Sequence, residues 1–225
     1  YFRQNFSQVT NPPIDSLREN KVMSLRTRFG NLGNILNFND LSKENIYVLD
    51  SPILSNSQFE KFKDYFKENY KIIECTFNKE DTLKVALDRI RSSAEIAARE
   101  GIKQIILTDK IIDENTLAIP MVLAVGAVNS HLIQKSLRGF ISLNVQTGDV
   151  LDTHSYATLL GVGATTINPY LALDTICQRF EKNLFGKFDI EDCIKRYIKS
   201  VNNGLLKIMS KMGISVLSSY RGGCN

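Results

Sequence analysis

The sequence predicts an α/β fold: a mainly parallel sheet flanked by helices, laid out as degenerate TIM-barrel-like βα repeats. From Ile46 onward, short β-branched or apolar runs alternate with longer segments of helical period, the pattern of βα units. One unit is complete in itself. A strand over 71–76 is followed by Asn78 as a helix cap, by Leu83, Ala86, Leu87, Ile90, Ala94 and Ala97 at threes and fours, by Gly101 as a left-handed stop, and by a second strand over 102–107. The composition, 43% apolar and 23% charged over 225 residues, is that of an ordinary globular domain.

Taken in order, the chain opens with a helix-like Tyr1-Phe2-Arg3-Gln4-Asn5-Phe6, and Asn11-Pro12-Pro13-Ile14-Asp15 then forces an extended turn. Leu17, Met23, Leu25 and Phe29 suggest a helix after it, so residues 1–45 read as a helical lead-in and 46–225 as the βα core of a single domain. Further strands are expected at 46–49, 139–145, 164–167 and 215–217, and helices at 57–69, 117–135, 149–160, 169–183 and 190–211. Pro169 fits a first helical turn, where its missing N–H costs nothing. The right-handed crossover of the complete unit puts Thr76 and Asp109 on one edge of the sheet, where α/β proteins carry their sites. Starting at Tyr1 and stopping just after an expected strand, the chain reads as an excised piece of something longer.

Charge and cysteine exclude several function classes. Twenty-eight Lys plus Arg against 24 Asp plus Glu give +4, scattered along the chain, whereas nucleic acid or an anionic membrane surface is met by clustered cations. The longest apolar run, 117–128, is interrupted by Pro120 and falls well short of the roughly 20 residues of a bilayer span. Cys75, Cys177, Cys193 and Cys224 form no close C-x-x-C pair and read as reduced thiols, which fits a cytoplasmic or plastid-interior protein.

Titratable chemistry is sparse. His131, beside Leu132 and Ile133, reads as a hydrogen-bonded packing residue. Asp152, His154 and Ser155 are the right residue types for a catalytic relay, but consecutive helical side chains point about 100° apart and cannot form one among themselves. No nucleophile elbow, zinc-protease helix or Walker loop is present. The most suggestive stretch is Gln146-Thr147-Gly148-Asp149-Val150 with Gly161-Val162-Gly163-Ala164. It resembles the last two βα units of flavin-binding barrels, whose loops hold a phosphate on backbone N–H groups. Here Asp149 follows the turn glycine and no basic residue neutralises the turn, so a phosphate would be repelled.

Three blocks go further. They are Gln8-Val9-Thr10-Asn11-Pro12-Pro13-Ile14-Asp15 with Val22-Met23-Ser24-Leu25; Gly161-Val162-Gly163-Ala164 with Ile167-Asn168-Pro169-Tyr170; and residues 203–215 leading into Ser219-Tyr220-Arg221-Gly222. In order and nearly residue for residue, they resemble the central domain of the glutamate synthase large chain. The resemblance implies a multidomain oxidoreductase that makes two glutamates from glutamine, 2-oxoglutarate and two electrons. It implies an amidotransferase domain and an FMN synthase domain in the same chain as partners, an FMN and a 3Fe-4S cluster in the parent enzyme, and a small subunit or ferredoxin as electron source. The catalytic cysteine, flavin site and cluster ligands of the family lie outside these residues, so no catalytic, cofactor or metal residue is carried over. Relative to the family, this chain has fewer histidines around His131 and His154, and Gly223-Cys224 where Ala-Gln is usual.

What the resemblance assigns to such a domain is a scaffold joining the two catalytic domains and lining part of an ammonia tunnel. Thr10, Asn11, Pro12 and Pro13, a rigid turn with a polar tip, are the candidate tunnel or interface residues, the alternative being a plain helix-breaking turn. Lys207, Lys211, Tyr220 and Arg221 are the candidates for meeting the synthase domain, the alternative being solvated charge. The rival function is an independent FMN-binding barrel-type oxidoreductase domain, resting on the Gly148 turn.

Overall fold

A computed structural model describes residues 9–29, 36 and 46–222. The expected helix over Tyr1 to Phe6, Gln8 of the first block, and the Gly223-Cys224-Asn225 end lie outside the described residues. The chain runs α1 (Glu19–Val22), β1 (Thr27–Phe29), β2 (Tyr47–Leu49), α2 (Asn56–Phe66), β3 (Tyr70–Glu74), β4 (Thr76–Asn78), α3 (Leu83–Arg99), β5 (Gln104–Thr108), β6 (Thr116–Ala118), α4 (Met121–Gln134), β7 (Ser142–Gln146), α5 (Thr153–Gly161), β8 (Thr166–Asn168), α6 (Tyr170–Glu181), α7 (Ile190–Lys211) and α8 (Leu217–Tyr220).

The main sheet is fully parallel in the order β3-β5-β7-β8. Each strand lies beside the next one of its sheet along the chain, which is barrel order; a doubly wound sheet reverses at a switch point. Ile53 extends the β8 edge, since Ile167 N–H donates to the Pro52 carbonyl at 2.8 Å and Leu54 N–H to the Ile167 carbonyl at 2.9 Å. Alternation then separates two faces. Ile105, Leu107, Leu143, Val145 and Ile167 join the core with Ala86, Ile90 and Ala94 of α3, Val125 and Val128 of α4, and Tyr156 and Leu160 of α5. The opposite face carries Ile106, packed on Leu54 and Phe59, among Gln104, Thr108, Asn144, Gln146, Thr166 and Asn168.

The helices follow from local chemistry. Thr82 caps α3 by accepting from Val85 N–H, and four buried apolar side chains at helical spacing give it a face to the sheet. Gly101, at φ +87°, ends it as expected. Helix α2 carries a reciprocal capping box between Ser55 and Gln58, and α7 matches the expected 190–211 residue for residue.

Several expectations are corrected. Asn78 closes β4 instead of capping α3. Residues 117–120 are not helical: Pro120 holds the N-cap of α4, the residue before a proline is biased to extended backbone, and 116–118 pair antiparallel with β4. Helix α5 starts at Thr153, because Asp152 caps it, and 139–140 lie in a 3-10 turn before β7. Residues 215–217 form no strand; Val216 makes one parallel bridge to Ser24, and Leu217 opens α8. In the lead-in, α1 spans four residues and Phe29 belongs to β1, which pairs antiparallel with β2, so the strand at 47–49 is outside the parallel sheet. The reason is tertiary. Phe29 is 1% exposed, with its ring 5.2 Å from Phe62 and 5.9 Å from Phe66, and that burial outweighs a weak helical period.

Candidate functional site

The C-terminal edge of the parallel sheet is the place where a βα protein of this order carries chemistry. β5 ends at Thr108, which puts Asp109 at the edge, and β7 ends at Gln146, which puts Thr147, Gly148 and Asp149 beside it. The Asp109 carboxylate accepts from the Thr147 hydroxyl and from the Gly148 N–H at 3.1 Å, with the Tyr170 phenol nearby. Asp109 is 2% exposed, and burial pushes its carboxyl above the ordinary aspartate range against the pull of these donors, with Asp149 adding repulsion. Burial, with Asp109 and Asp149 nearby, pushes the Tyr170 phenol up to about 12. Asp149 is itself engaged, accepting at 2.9 Å from Met121 N–H at the first turn of α4.

The turn that resembles a phosphate cradle therefore spends its amide on a side chain of this chain. A phosphate brought to Gly148 would meet Asp109 and Asp149, and the residues present do not fit one. The sequence reading missed two neighbours: Lys110 Nζ lies 5.8 Å from the Tyr170 ring centroid, and Arg89 donates to the Glu74 and Thr76 carbonyls at the end of β3, so cations do stand near this edge. Beneath it runs a second feature with no apolar signature to announce it. Asn144 Nδ2 donates to Gln104 Oε1 at 3.0 Å and Thr166 Oγ1 to Asn144 Oδ1 at 2.7 Å. One level higher, Thr108 Oγ1 donates to Gln146 Oε1 at 3.1 Å and Gln146 Nε2 to Asn168 Oδ1 at 3.2 Å. Polar residues at every second position of the strands were the available signal.

The other titratable candidates resolve into structure. Asp152 Oδ1 accepts from both the N–H and the hydroxyl of Ser155, a helix cap and no relay. His131 Nε2 lies 2.7 Å from Glu95 Oε2, a hydrogen-bonded packing residue as expected. Cys75 is buried and its thiol is pushed up to about 12 by burial and by Asp109, which makes it inert. Among the described residues, no group of three or more His, Cys, Asp or Glu could hold a metal ion, and no helix is long and apolar enough to cross a membrane.

The lead-in turn docks at the far end of α7. Ile14 N–H donates to the Ser210 carbonyl at 2.8 Å, Asp15 turns the chain by accepting from Leu17 N–H, and the Pro12 carbonyl lies 2.7 Å from where a Cβ on Gly213 would sit. Thr10, Asn11, Pro12 and Pro13 all stay exposed, as do Lys207 and Lys211 on the same end of α7. Tyr220 and Arg221 differ from them. The Tyr220 hydroxyl is buried and donates to the Ala157 carbonyl at 3.0 Å, while Arg221 is half-buried beside Thr27. A half-open groove of about 720 Å³ runs between α2, α6 and α7 over Ile53, Leu173, Ile194 and Ile198.

A family model described as the glutamate synthase central domain matches residues 1–225. Among curated proteins, the large chain of the NADPH glutamate synthase of Azospirillum brasilense is 52% identical over all of this chain and 15% of its own length. The corresponding Bacillus subtilis chain is 40% identical over 99% of this chain and 14% of its own, and the chloroplastic ferredoxin-dependent glutamate synthase of Spinacia oleracea 41% over 99% and 15%. This chain thus spans about 15% of the length of the curated relatives it matches. Of solved structures, a flavocytochrome b2 variant with sulfite bound aligns with a TM-score of 0.49 at 14% identity, over 75% of this chain and 38% of that one.

Proposed function

We infer, from the premise that this chain belongs to the glutamate synthase central domain family, that it is one domain over 1–225 with no reaction of its own. It serves as the scaffold between the amidotransferase and FMN synthase domains of a large chain, and its lead-in turn lines part of the path for ammonia. In this reading the parent enzyme converts glutamine, 2-oxoglutarate and two electrons into two glutamates in the cytoplasm or a plastid interior. Its FMN and 3Fe-4S cluster are held elsewhere in the chain, and ferredoxin or a small subunit supplies the electrons. The observation that carries the reading is the Gly148 amide bonded to Asp109, a barrel-type anion slot filled from within. That speaks against the rival, an FMN-binding barrel with its own oxidoreductase activity. Relatives named for NADPH, at 52% and 40% identity, and for ferredoxin, at 41%, all match at least 99% of this chain, which supports a role common to both electron donors.

The conduit role is tested in the full large chain by Thr10→Trp. Thr10 is exposed, so the larger side chain disturbs the fold little. Glutamine-dependent synthesis should fall several-fold while synthesis from free ammonia survives; equal loss of both activities overturns the conduit. Titration of the domain with oxidised FMN separates the rival, for which saturable binding tighter than about 10 μM is expected.

A further inference from the structure

At the opposite, N-terminal end of the sheet, two half-buried arginines flank the C-terminal end of α5, and neither has a counter-charge among the described residues. Arg138 is held by three neutral acceptors: Asn129 Oδ1 at 2.7 Å from Nε, the Ile141 carbonyl at 2.5 Å from Nη1 and the Gly163 carbonyl at 2.9 Å from Nη2. Arg221 comes from the turn after α8, anchored where Gly222 N–H donates to the Leu160 carbonyl. Among the described residues its Nη2 reaches Thr27 Oγ1 alone, at 3.4 Å, and its Nε is buried with no partner. Burial and the charge of Arg138 push the Arg221 guanidinium down to about 10. Neither arginine forms an ion pair among the described residues.

A guanidinium that loses water without gaining an acceptor is costly, and a second one beside it compounds the cost. The chemistry that removes both penalties is an oxyanion, and a carboxylate matches the planar fork best, taking Nε and Nη of one arginine at once. We propose that Arg138 and Arg221 form an oxyanion site at the N-terminal end of the sheet that takes a carboxylate group. Both side chains keep partial exposure, so the group can enter from outside the fold. Arg138, already tied by three bonds, sets the positive field, and Arg221 supplies the free donors. This stands on the geometry alone and holds whatever the domain does. The carboxylate comes either from an Asp or Glu of the large chain outside this domain or from a free carboxylic acid.

The test is hydrogen exchange of the backbone at 160–166 and 217–222 in the intact large chain, for wild type, Arg221→Met and Arg221→Lys, in chloride and in acetate at equal ionic strength. With a carboxylate of the chain in the site, Arg221→Met exchanges about tenfold faster, Arg221→Lys, which keeps the charge and loses the fork, falls between it and wild type, and acetate changes nothing. A site for a free carboxylate gives slower exchange of the wild type in acetate, lost in Arg221→Met. The proposal is overturned if, without an acetate response, Arg221→Met is as protected as wild type or better. It is equally overturned if Met and Lys variants are damaged alike, since packing alone then explains Arg221.

Discussion

The Gly148 N–H donates to the Asp109 carboxylate at 3.1 Å, so the turn that resembles an anion cradle holds a side chain from the end of the adjacent strand. Truncating Asp109 to Ala strands the buried Thr147 hydroxyl and the half-buried Gly148 amide, at an expected cost of about 2 kcal/mol. Asp109→Asn keeps an acceptor and costs less. The pH dependence has a definite sign. A carboxyl whose folded pKa is raised contributes stability below its unfolded value and loses it as pH rises through the folded one. The penalty of Asp109→Asn therefore shrinks as pH rises past the aspartate range, which urea unfolding of both proteins between pH 4 and 8 would display; a growing penalty would contradict the assignment.

Gly213 and Gly101 both hold positive φ, at +68° and +87°, yet they should respond differently to alanine. Around Gly101 nothing lies within 4 Å of the added Cβ, leaving a backbone cost near 1 kcal/mol. At Gly213 the Cβ would lie 2.7 Å from the Pro12 carbonyl, so the lead-in turn must move as well, and a loss of roughly 2 to 3 kcal/mol is expected. Denaturant melts of Gly101→Ala and Gly213→Ala measure the difference. Proteolysis at Thr10 to Pro13 should accelerate only in the second.

These contrasts mark where the sequence was legible. The parallel sheet and α7 could be read because their apolar spacing is carried within each element. Phe29 could not, because its place in β1 is decided by rings some 30 residues away on α2, and Thr116–Ala118 hid behind an apolar run that Pro120 divides. At the site, the family blocks and the missing helical relay were readable from residue types and spacing. The bond from Gly148 to Asp109 was not, since it joins two strand ends 39 positions apart. Nor was the unpartnered Nε of Arg221, or its lack of an ion pair among the described residues, since both depend on everything around it.

The polar ladder inside the sheet gives a further test. Asn144 is fully buried, donates to Gln104 and accepts from Thr166. Asn144→Ala leaves both partners unpaired in a dry interior and should cost roughly 3 kcal/mol. The triple change of Gln104, Asn144 and Thr166 to apolar residues of similar size removes the orphans together. It should recover much of that loss, so the double and triple variants depart from additivity. Additive losses in chemical denaturation would mean that the ladder does not act as a unit.

Glu95 gathers the charge on the outer face of α3 and α4: Arg99 at 2.8 Å, His131 at 2.7 Å and Lys135 at 3.8 Å. Hydrogen bonds from Arg99 and then His131 hold its carboxyl below the ordinary glutamate range. For a depressed carboxyl the stabilising contribution is present above the unfolded pKa and is lost as pH falls through the folded one. Wild type and Glu95→Gln should therefore differ most at neutral pH and converge as the solution is acidified below about pH 4, the unperturbed glutamate value. Because the group is at the surface, salt screens it, and the gap at pH 7 should narrow in about 1 M NaCl. Melting both proteins across pH 3 to 7 at two salt concentrations checks this, and a difference that is constant with pH would show that Glu95 acts by packing and not by charge.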